Sequence, residues 1–502
     1  MNDKAEAGVI DCSLCIVGGG IAGLNALFVA AQYLGKDDRV ILIERRPRTG
    51  GMWNDVYDYV HLHQPYERFT AGDIGWTLDQ PPAYLASKPE VLGQFEHCLE
   101  HLRGQFRLQE YYGYEMTDDR EVPVTNGYAA ELRVRAIDAD GDEITIRADK
   151  LIKAFGFRIP VNPALSLSSS RVQSLSTDLD DLQNGVIASD NRPVYVVGGG
   201  KTGMDTVNML IDRFPSREIH FLIGNGTIFT SRDKFFPAGL RRWVGGSTTV
   251  GSFLEIALRF NGDNEDEVFD YFHENYALSL DNDSQNFVFG VLSEREQQAI
   301  KNGCASITRD YLEDVIDTGN GPQAQLRGGD SLPVEEGAYF INCSGYVLRE
   351  DYEYLPYLSE HGTTVTVHPN SAIHFLTTFS SYFLTHLFFL DLLDKLPLYE
   401  LDMQSLNERN KKALPFTAIS LALYNLGLIV DAVPQDVLLR CGLDFDRWYP
   451  LYRRILAISR LRQGKLAKRA HFRATLDRMQ QRYGIRLGLL ERNSGMRADA
   501  AA

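Results

Sequence analysis

At 502 residues, with 44% apolar and 24% charged side chains, the chain is long enough for two or three globular domains with ample core. A net charge of −16 and a pI near 5.2 exclude a global field that would gather a polyanion, so nucleic acid is not an expected partner. The opening M-N-D-K-A-E-A-G-V-I-D lacks both a basic and an apolar leader region, so a cytoplasmic location is expected.

In chain order, Leu14–Val17 form a short apolar run of the kind that makes a buried parallel strand. Gly18, Gly20 and Gly23 follow in G-x-G-x-x-G spacing, a helix is predicted over Leu24–Leu34 with Gly35 as its left-handed cap, and a second strand over Val40–Ile43 ends at Glu44. Gly18 permits the sharp turn, Gly20 lets backbone approach a pyrophosphate, and Gly23 lets helix and strand pack closely. The helix start offers unpaired N–H groups to phosphate, and Glu44 can accept hydrogen bonds from a ribose. This unit is read as a dinucleotide site. Cys12 and Cys15 form a C-x-x-C, but residues three apart in a strand point to opposite faces, so a redox dithiol is not expected. All six cysteines are scattered, as in a reducing compartment.

Beyond Glu44 comes R-R-P-R-T-G-G-M-W, where Gly50 and Gly51 allow a close backbone approach and Trp53 supplies a planar face. His61, His63 and Gln64 cluster before Pro65. Two histidines two apart would share a strand face, yet no third ligand stands near, so no metal site is read; hydrogen-bonded or solvated histidines compete with a role for His63 or Gln64 beside the dinucleotide. A helix is expected over Val91–Leu102, strands near Glu131–Ala136, Glu143–Ala148 and Leu151–Phe157, and a serine-rich connector over Pro163–Ser176.

Then the opening unit repeats. Val194–Val197 reads as a strand, Gly198, Gly200 and Gly203 recreate the glycine spacing, Met204–Phe214 reads as helix and Ile219–Ile223 as strand. Two such sites imply two dinucleotides held face to face. The second strand ends without an acid, and Lys201, Arg232 and Lys234 lie close in sequence, which favours a 2′-phosphate and hence NADPH; solvated surface is the alternative for Arg232 and Lys234. Leu254–Gly303 is expected to be a helical, acidic, solvated excursion. Ala338–Gly345 reads as a strand returning to the first sheet and carrying Ser344 and Gly345 to the first dinucleotide. His374–Leu393 is too interrupted by His386 and Asp391 to span a bilayer and is expected to be a core helix. From Leu396 the chain reads mostly as helix, with a basic run over Tyr452–Arg473 expected to face acidic parts of the chain rather than a membrane.

G-G-G-I-A-G with Glu44, G-G-M-W at 50–53, V-V-G-G-G-K-T-G-M-D at 196–205 and N-C-S-G-Y at 342–346 together resemble the class B flavin-dependent monooxygenases. The resemblance includes flavin-containing and N-hydroxylating enzymes, and leaves the C-terminal segment unmatched. L-H-Q-P at 62–65 also resembles a piece of FAD/NAD(P)-binding oxidoreductases. It implies an α/β fold of two Rossmann-like domains: an FAD domain in residues 1–160 and 335–395, an inserted NADPH domain in 161–334, and a helical C-terminal segment in 396–502. Gly18, Gly20, Gly23, Glu44 and Arg45 would hold FAD, with Gly51, Met52 and Trp53 near the flavin and Ser344 and Gly345 beside it. Gly198, Gly200, Lys201, Thr202 and Gly203 would hold NADPH, with Arg232 and Lys234 at its 2′-phosphate, and His63 and Gln64 are the candidate catalytic residues. In such enzymes NADPH reduces the flavin, O2 adds to give a C4a-peroxide, and a small nucleophile such as an amine is oxygenated. The F-x-G-x-x-x-H-x-x-x-W fingerprint of the family is replaced by F-G-F-R-I-P-V-N-P-A, which makes Baeyer–Villiger chemistry the less expected branch. Two other readings compete: an NAD(P)H-dependent flavin oxidase or reductase without oxygen transfer, and a non-catalytic flavin-binding protein. A homo-oligomer stays open.

Overall fold

The structure, a computed structural model, describes residues 9–137, 143–156, 161–178, 185–345, 354–367, 371–441 and 443–490. The N-terminal leader reading, Phe157–Pro160 of the replaced fingerprint, and Tyr346 of N-C-S-G-Y lie outside the described residues.

The apolar run at the start forms the strand Ile10–Val17, with Leu14, Cys15 and Ile16 fully shielded from solvent. Burial on both faces is what a continuous apolar strand requires, and here it sits inside a parallel sheet. Its neighbours are Arg39–Glu44, which pairs on to Arg107–Tyr112, and Glu143–Lys153, which pairs on to Thr364–Thr366. A hairpin, Tyr114–Val124 with Gly127–Ala136, adds antiparallel to the first half of Glu143–Lys153. The helix Ile21–Ala30 packs against Thr377–Phe389, where Ser381 Oγ donates to the Ala22 carbonyl over 2.6 Å. Lys88–Arg103 completes this layer, started by a capping box in which Glu90 reaches back to the Ser87 N–H. Gly35 does not cap the first helix: the helix ends at Ala30, and Gly35 instead donates its N–H to Asp38 in the following turn.

The second unit copies the first. Its parallel sheet runs in the order Ser306–Thr308, Ile219–Leu222, Val194–Val197, Tyr339–Asn342, Gln173–Leu175. A three-stranded antiparallel meander, Leu312–Thr318, Gly321–Leu326 and Ser331–Pro333, comes just before Tyr339–Asn342 in the chain, as the hairpin comes just before Glu143–Lys153. Two expectations are corrected here. Tyr339–Asn342 does not return to the first sheet; it pairs with Val194–Val197, and Thr364–Thr366 is the strand that returns. The serine-rich connector is not wholly a loop, since Gln173–Leu175 forms the edge strand of the second sheet.

Helices Thr249–Arg259 and Glu265–Tyr276 leave the second unit and bury Ile256, Phe260, Val268 and Phe272. The solvated excursion expected from its acidity is therefore half of an apolar interface. Ala413–Ala432 and Lys465–Tyr483 cover it, with His471 Nε2 3.1 Å from the Ala257 and Phe260 carbonyls and Arg482 bidentate on buried Glu265 at 2.7 and 2.9 Å. Charge patterning misleads because Asp266, Glu267, Asp270 and Glu274 line the exposed face of Glu265–Tyr276, while Glu265 is buried and paired on the other. Ala413–Ala432 is long and apolar enough to cross a membrane by composition, but most of it is buried in this helical core. Thr377–Phe389 is the core helix expected there, buried almost throughout.

Candidate dinucleotide-binding site

The two glycine loops have nearly the same backbone. Gly18 has φ +116° and Gly198 φ +118°; Gly20 has φ −82° and ψ −174°, Gly200 φ −82° and ψ −172°. A Cβ on Gly23 would lie 1.8 Å from the Gly18 carbonyl oxygen, and one on Gly203 2.0 Å from that of Gly198, so only glycine allows helix and strand to close up. Each loop is also crossed by the chain leaving the neighbouring strand. A Cβ on Gly18 would meet the Ala154 carbonyl at 2.4 Å, and one on Gly198 would meet Cys343 at 2.6 Å. Ser344 and Gly345 therefore stand at the second loop, not beside the first as expected. Neither glycine helix has a side-chain cap, which leaves the first-turn N–H groups pointing outward.

At the first loop, Glu44 is buried, accepts the Gly19 N–H over 2.7 Å and the Arg46 N–H over 2.9 Å. Oε1 also takes Arg46 Nη1 at 3.4 Å, and Oε2 keeps a lone pair for a further donor. Gly50 donates to the Gly19 carbonyl at 3.0 Å, which lays the short helix Gly51–Asn54, with Met52 and Trp53, against the loop. Trp53 packs toward Phe69 at 5.8 Å between ring centres. Arg45 is exposed and makes no ion pair among the described residues, whereas its neighbour Arg46 is held by Asp55.

At the second loop, Ile223 occupies the place of Glu44: a Cβ on Gly199 would meet Ile223 as one on Gly19 would meet Glu44. Lys201 pairs with Asp205 one turn along the helix, and Thr202 stands beside it in the first turn. Arg232 and Lys234 are committed elsewhere. Arg232 donates Nε to the His63 carbonyl at 2.9 Å and Nη1 to Glu296 at 2.8 Å, and Lys234 donates to the Asn275 carbonyl at 2.6 Å. Burial works to raise the Glu296 pKa, but Arg232 and then Lys201 hold it below the usual carboxylate range. The cation that chain order did not reveal is Arg309. It follows the strand Ser306–Thr308, whose Thr308 is in register with Leu222, so Arg309 lies beside Ile223; its guanidinium is 3.6 Å from Asp281 and from Asp283.

The segment after Trp53 joins the two loops. Tyr57 donates to Asp205 at 2.7 Å, Tyr59 shares a hydrogen bond with Thr206 at 2.8 Å, and His63 offers its carbonyl to Arg232. His63 and Gln64 thus lie between the two units, but not on a regular strand: only an isolated bridge, His61 to Ser87, forms there. His61 is exposed while the His63 ring is enclosed, and burial, with Lys201 and Arg232 nearby, pushes its pKa down to about 3. Among the described residues, Gln64 Oε1 is buried without a donor, and Arg68 Nη1 without an acceptor. Arg68 lies over Phe236 at 4.9 Å, and burial pushes it down to about 10 despite Asp444 and Asp446. Nothing in the sequence spacing marks Arg68. Cys12 and Cys15 are both free and buried.

Two glycine cradles of matching backbone on duplicated parallel sheets define a fold with two dinucleotide-binding units. A family model described as pyridine nucleotide-disulphide oxidoreductase matches residues 12–222. Solved structures found similar include reduced ornithine hydroxylase from Pseudomonas aeruginosa (14% identity, 76% of this chain and 100% of that one, TM-score 0.47). Cyclohexanone-bound cyclohexanone monooxygenase is similar at 12% identity over 91% of this chain and 98% of that one, TM-score 0.47. A flavin-containing monooxygenase from Stenotrophomonas maltophilia is similar at 14% identity over 67% and 79%, TM-score 0.36. No curated protein matches the chain.

Proposed function

We propose that the protein is an FAD- and NADPH-dependent monooxygenase that oxygenates a small nucleophile, an amine or similar group. The observation that carries this reading is the apposition of two conformationally matched glycine cradles through Tyr57–Asp205 and Tyr59–Thr206. A non-catalytic binding protein would need to keep only one.

The residues fit the two cofactors. The acid Glu44 suits an unphosphorylated ribose, as in FAD, and the isoleucine in its place at the second loop removes the carboxylate that would repel a 2′-phosphate. Gly18, Gly20, Gly23, Glu44 and Arg45 would hold the adenosine diphosphate half of FAD, and Gly51, Met52 and Trp53 would border the flavin. Gly198, Gly200, Lys201, Thr202, Gly203, Ser344 and Gly345 would hold NADPH, with Arg309 in the 2′-phosphate role first read for Arg232 and Lys234. Arg232 acts instead as a strut between units. Gln64 Oε1 and Arg68 Nη1, both without a hydrogen-bond partner among the described residues, are an acceptor and a donor left for a ligand. When bound, the flavin supplies hydride acceptance and activation of O2. The protein holds the reacting faces together, excludes water, and keeps His63 neutral at physiological pH, so that no extra positive charge is added beside Lys201 and Arg232.

The test is an amine screen with NADPH under isotopically labelled O2. Label in the product, with one NADPH used per oxygen transferred, is expected. Stoichiometric hydrogen peroxide with no labelled product from any amine, sulfide or carbonyl would favour the oxidase reading, and a flavin that NADPH does not bleach would sink both.

A further inference from the structure

The helix Leu451–Arg462 buries only Arg453 and Ala457, so its apolar residues face outward. Leu451, Ile455 and Ile458, at helical spacing on the side away from Arg453, are 66%, 56% and 47% exposed. Beside them the turn at 240–246 presents Leu240, Trp243 and Val244, which are 81%, 56% and 64% exposed. The buried side of the helix is tied to this turn by hydrogen bonds. Arg453 donates Nη1 to the Arg242 carbonyl at 3.1 Å and Nη2 to the Gly246 carbonyl at 2.8 Å, and Arg242 donates back to the Trp448 carbonyl at 2.7 Å. Scattered exposed apolar residues are ordinary on a soluble protein; a rigid cluster of this kind marks an interaction surface.

Charge says what covers it. From Arg447 to Arg473 the chain carries nine Lys and Arg and no Asp or Glu, in a protein of net charge −16. Some are neutralised, as Arg454 is by Asp444, and Lys465 and Arg469 by Asp431. Arg241, Arg460 and Arg462 are exposed and make no ion pair among the described residues. An outward apolar helix face, an exposed tryptophan and a basic fringe are the composition of an interfacial helix. We propose that the face formed by 240–246 and 451–462 docks on an anionic phospholipid bilayer surface, with Trp243 and Ile455 entering the headgroup region. The rest of the acidic chain then points away from the membrane. This docking is independent of the proposed reaction and concerns a surface, not a span.

The test is flotation of the full-length, flavin-loaded protein with vesicles of phosphatidylcholine alone or mixed with phosphatidylglycerol. Binding to the mixed vesicles only, weakened by salt, is expected. Ile455→Ser should reduce partition at least about tenfold. Arg460→Gln with Arg462→Gln should reduce it about 25-fold, from about fivefold per cation. Both sites are exposed, so thermal midpoints should stay at the wild-type value. Wild-type protein that floats with neither vesicle overturns the proposal. So does binding that Ile455→Ser leaves unchanged, which would be adsorption by charge alone. A concentration-dependent dimer abolished by Ile455→Ser, without vesicle binding, would assign the face to a second copy instead.

Discussion

Gly200 and Gly203 stand in the same loop, and one added methyl should have opposite consequences at each. At Gly200 the backbone lies at φ −82° and ψ −172°, open to alanine, and the new Cβ meets no protein atom within 4 Å. Alanine is a poorer helix N-cap than glycine by up to about 1 kcal/mol, while stiffening of the unfolded chain returns about 0.4–1 kcal/mol. Net stability should therefore change by less than about 1 kcal/mol. The methyl nevertheless fills the space where a pyrophosphate must approach the backbone, so NADPH should bind about 30-fold more weakly, about 2 kcal/mol. At Gly203 the Cβ would lie 2.0 Å from the Gly198 oxygen and 3.0 Å from the Phe221 ring. Helix and strand must separate, which should cost about 1–3 kcal/mol of stability.

The assay is a thermal melt of both variants, their flavin content, and an anaerobic NADPH titration that follows flavin bleaching. Dithionite should reduce the flavin of Gly200→Ala normally, which shows that the first cradle is intact. A Gly200→Ala protein that is fully stable and binds NADPH as tightly as wild type would refute the placement of the pyrophosphate. Equal destabilisation by both substitutions would refute the packing argument.

Arg309→Ala should raise the Kd for NADPH about tenfold and leave that for NADH unchanged, whereas Arg232→Ala should affect both alike; direct titration with each nucleotide decides this. Tyr57→Phe removes a hydrogen bond to the charged Asp205 and should slow flavin reduction by NADPH without loss of flavin; a double-mutant cycle with Asp205→Asn should give about 1–2 kcal/mol of coupling, and zero coupling would dismiss the strut. Burial pushes His374 down to about 3 and His386 down to about 4, so below pH 6.5 the unfolded chain takes up protons that the folded chain refuses. Stability from these two groups is present above pH 6.5 and lost as pH falls toward 4, at pH 5 by about 2 kcal/mol for each. A denaturant midpoint that does not move between pH 6.5 and pH 5 would contradict it, and His386→Leu should remove part of the slope.

Both glycine cradles were legible because their steric demands are local: three glycines, an apolar strand and a helix fix one another within a few residues. Glu44 was legible for the same reason. What chain order hid is set by pairing at long range. Arg309 lies far in sequence from Ile223 and comes beside it only because Ser306–Thr308 is the sheet edge. Arg232 has the right charge at the right sequence distance, but Glu296 and the His63 carbonyl already engage its Nε, Nη1 and Nη2. Arg68 is marked by an unpartnered Nη1, a fact no spacing carries. The basic run over Tyr452–Arg473 does meet acidic parts of the chain, through Arg454 with Asp444 and through Lys465 and Arg469 with Asp431, whereas the outward apolar residues of Leu451–Arg462 leave no trace in a count of charge.

Duplication constrains more than the cradles. Each unit has the order glycine-loop strand, helix, second strand, edge strand, antiparallel insertion, then the strand that pairs beside the glycine loop. In the first unit that last strand is Glu143–Lys153 and in the second it is Tyr339–Asn342, each placing its next residue over the first glycine of the loop. Applied to the whole unit, the repeat identifies N-C-S-G at 342–345 as the counterpart of K-A-F-G at 153–156. Ser344 then follows as a residue of the second cradle. The fifth strands are exchanged in chain order, since Gln173–Leu175 precedes its unit and Thr364–Thr366 follows the other. That exchange threads the chain between the sheets twice, so the apposition of the cradles is fixed by topology as well as by Tyr57 and Tyr59. Loss of either hydroxyl should therefore loosen hydride transfer and leave the two units joined.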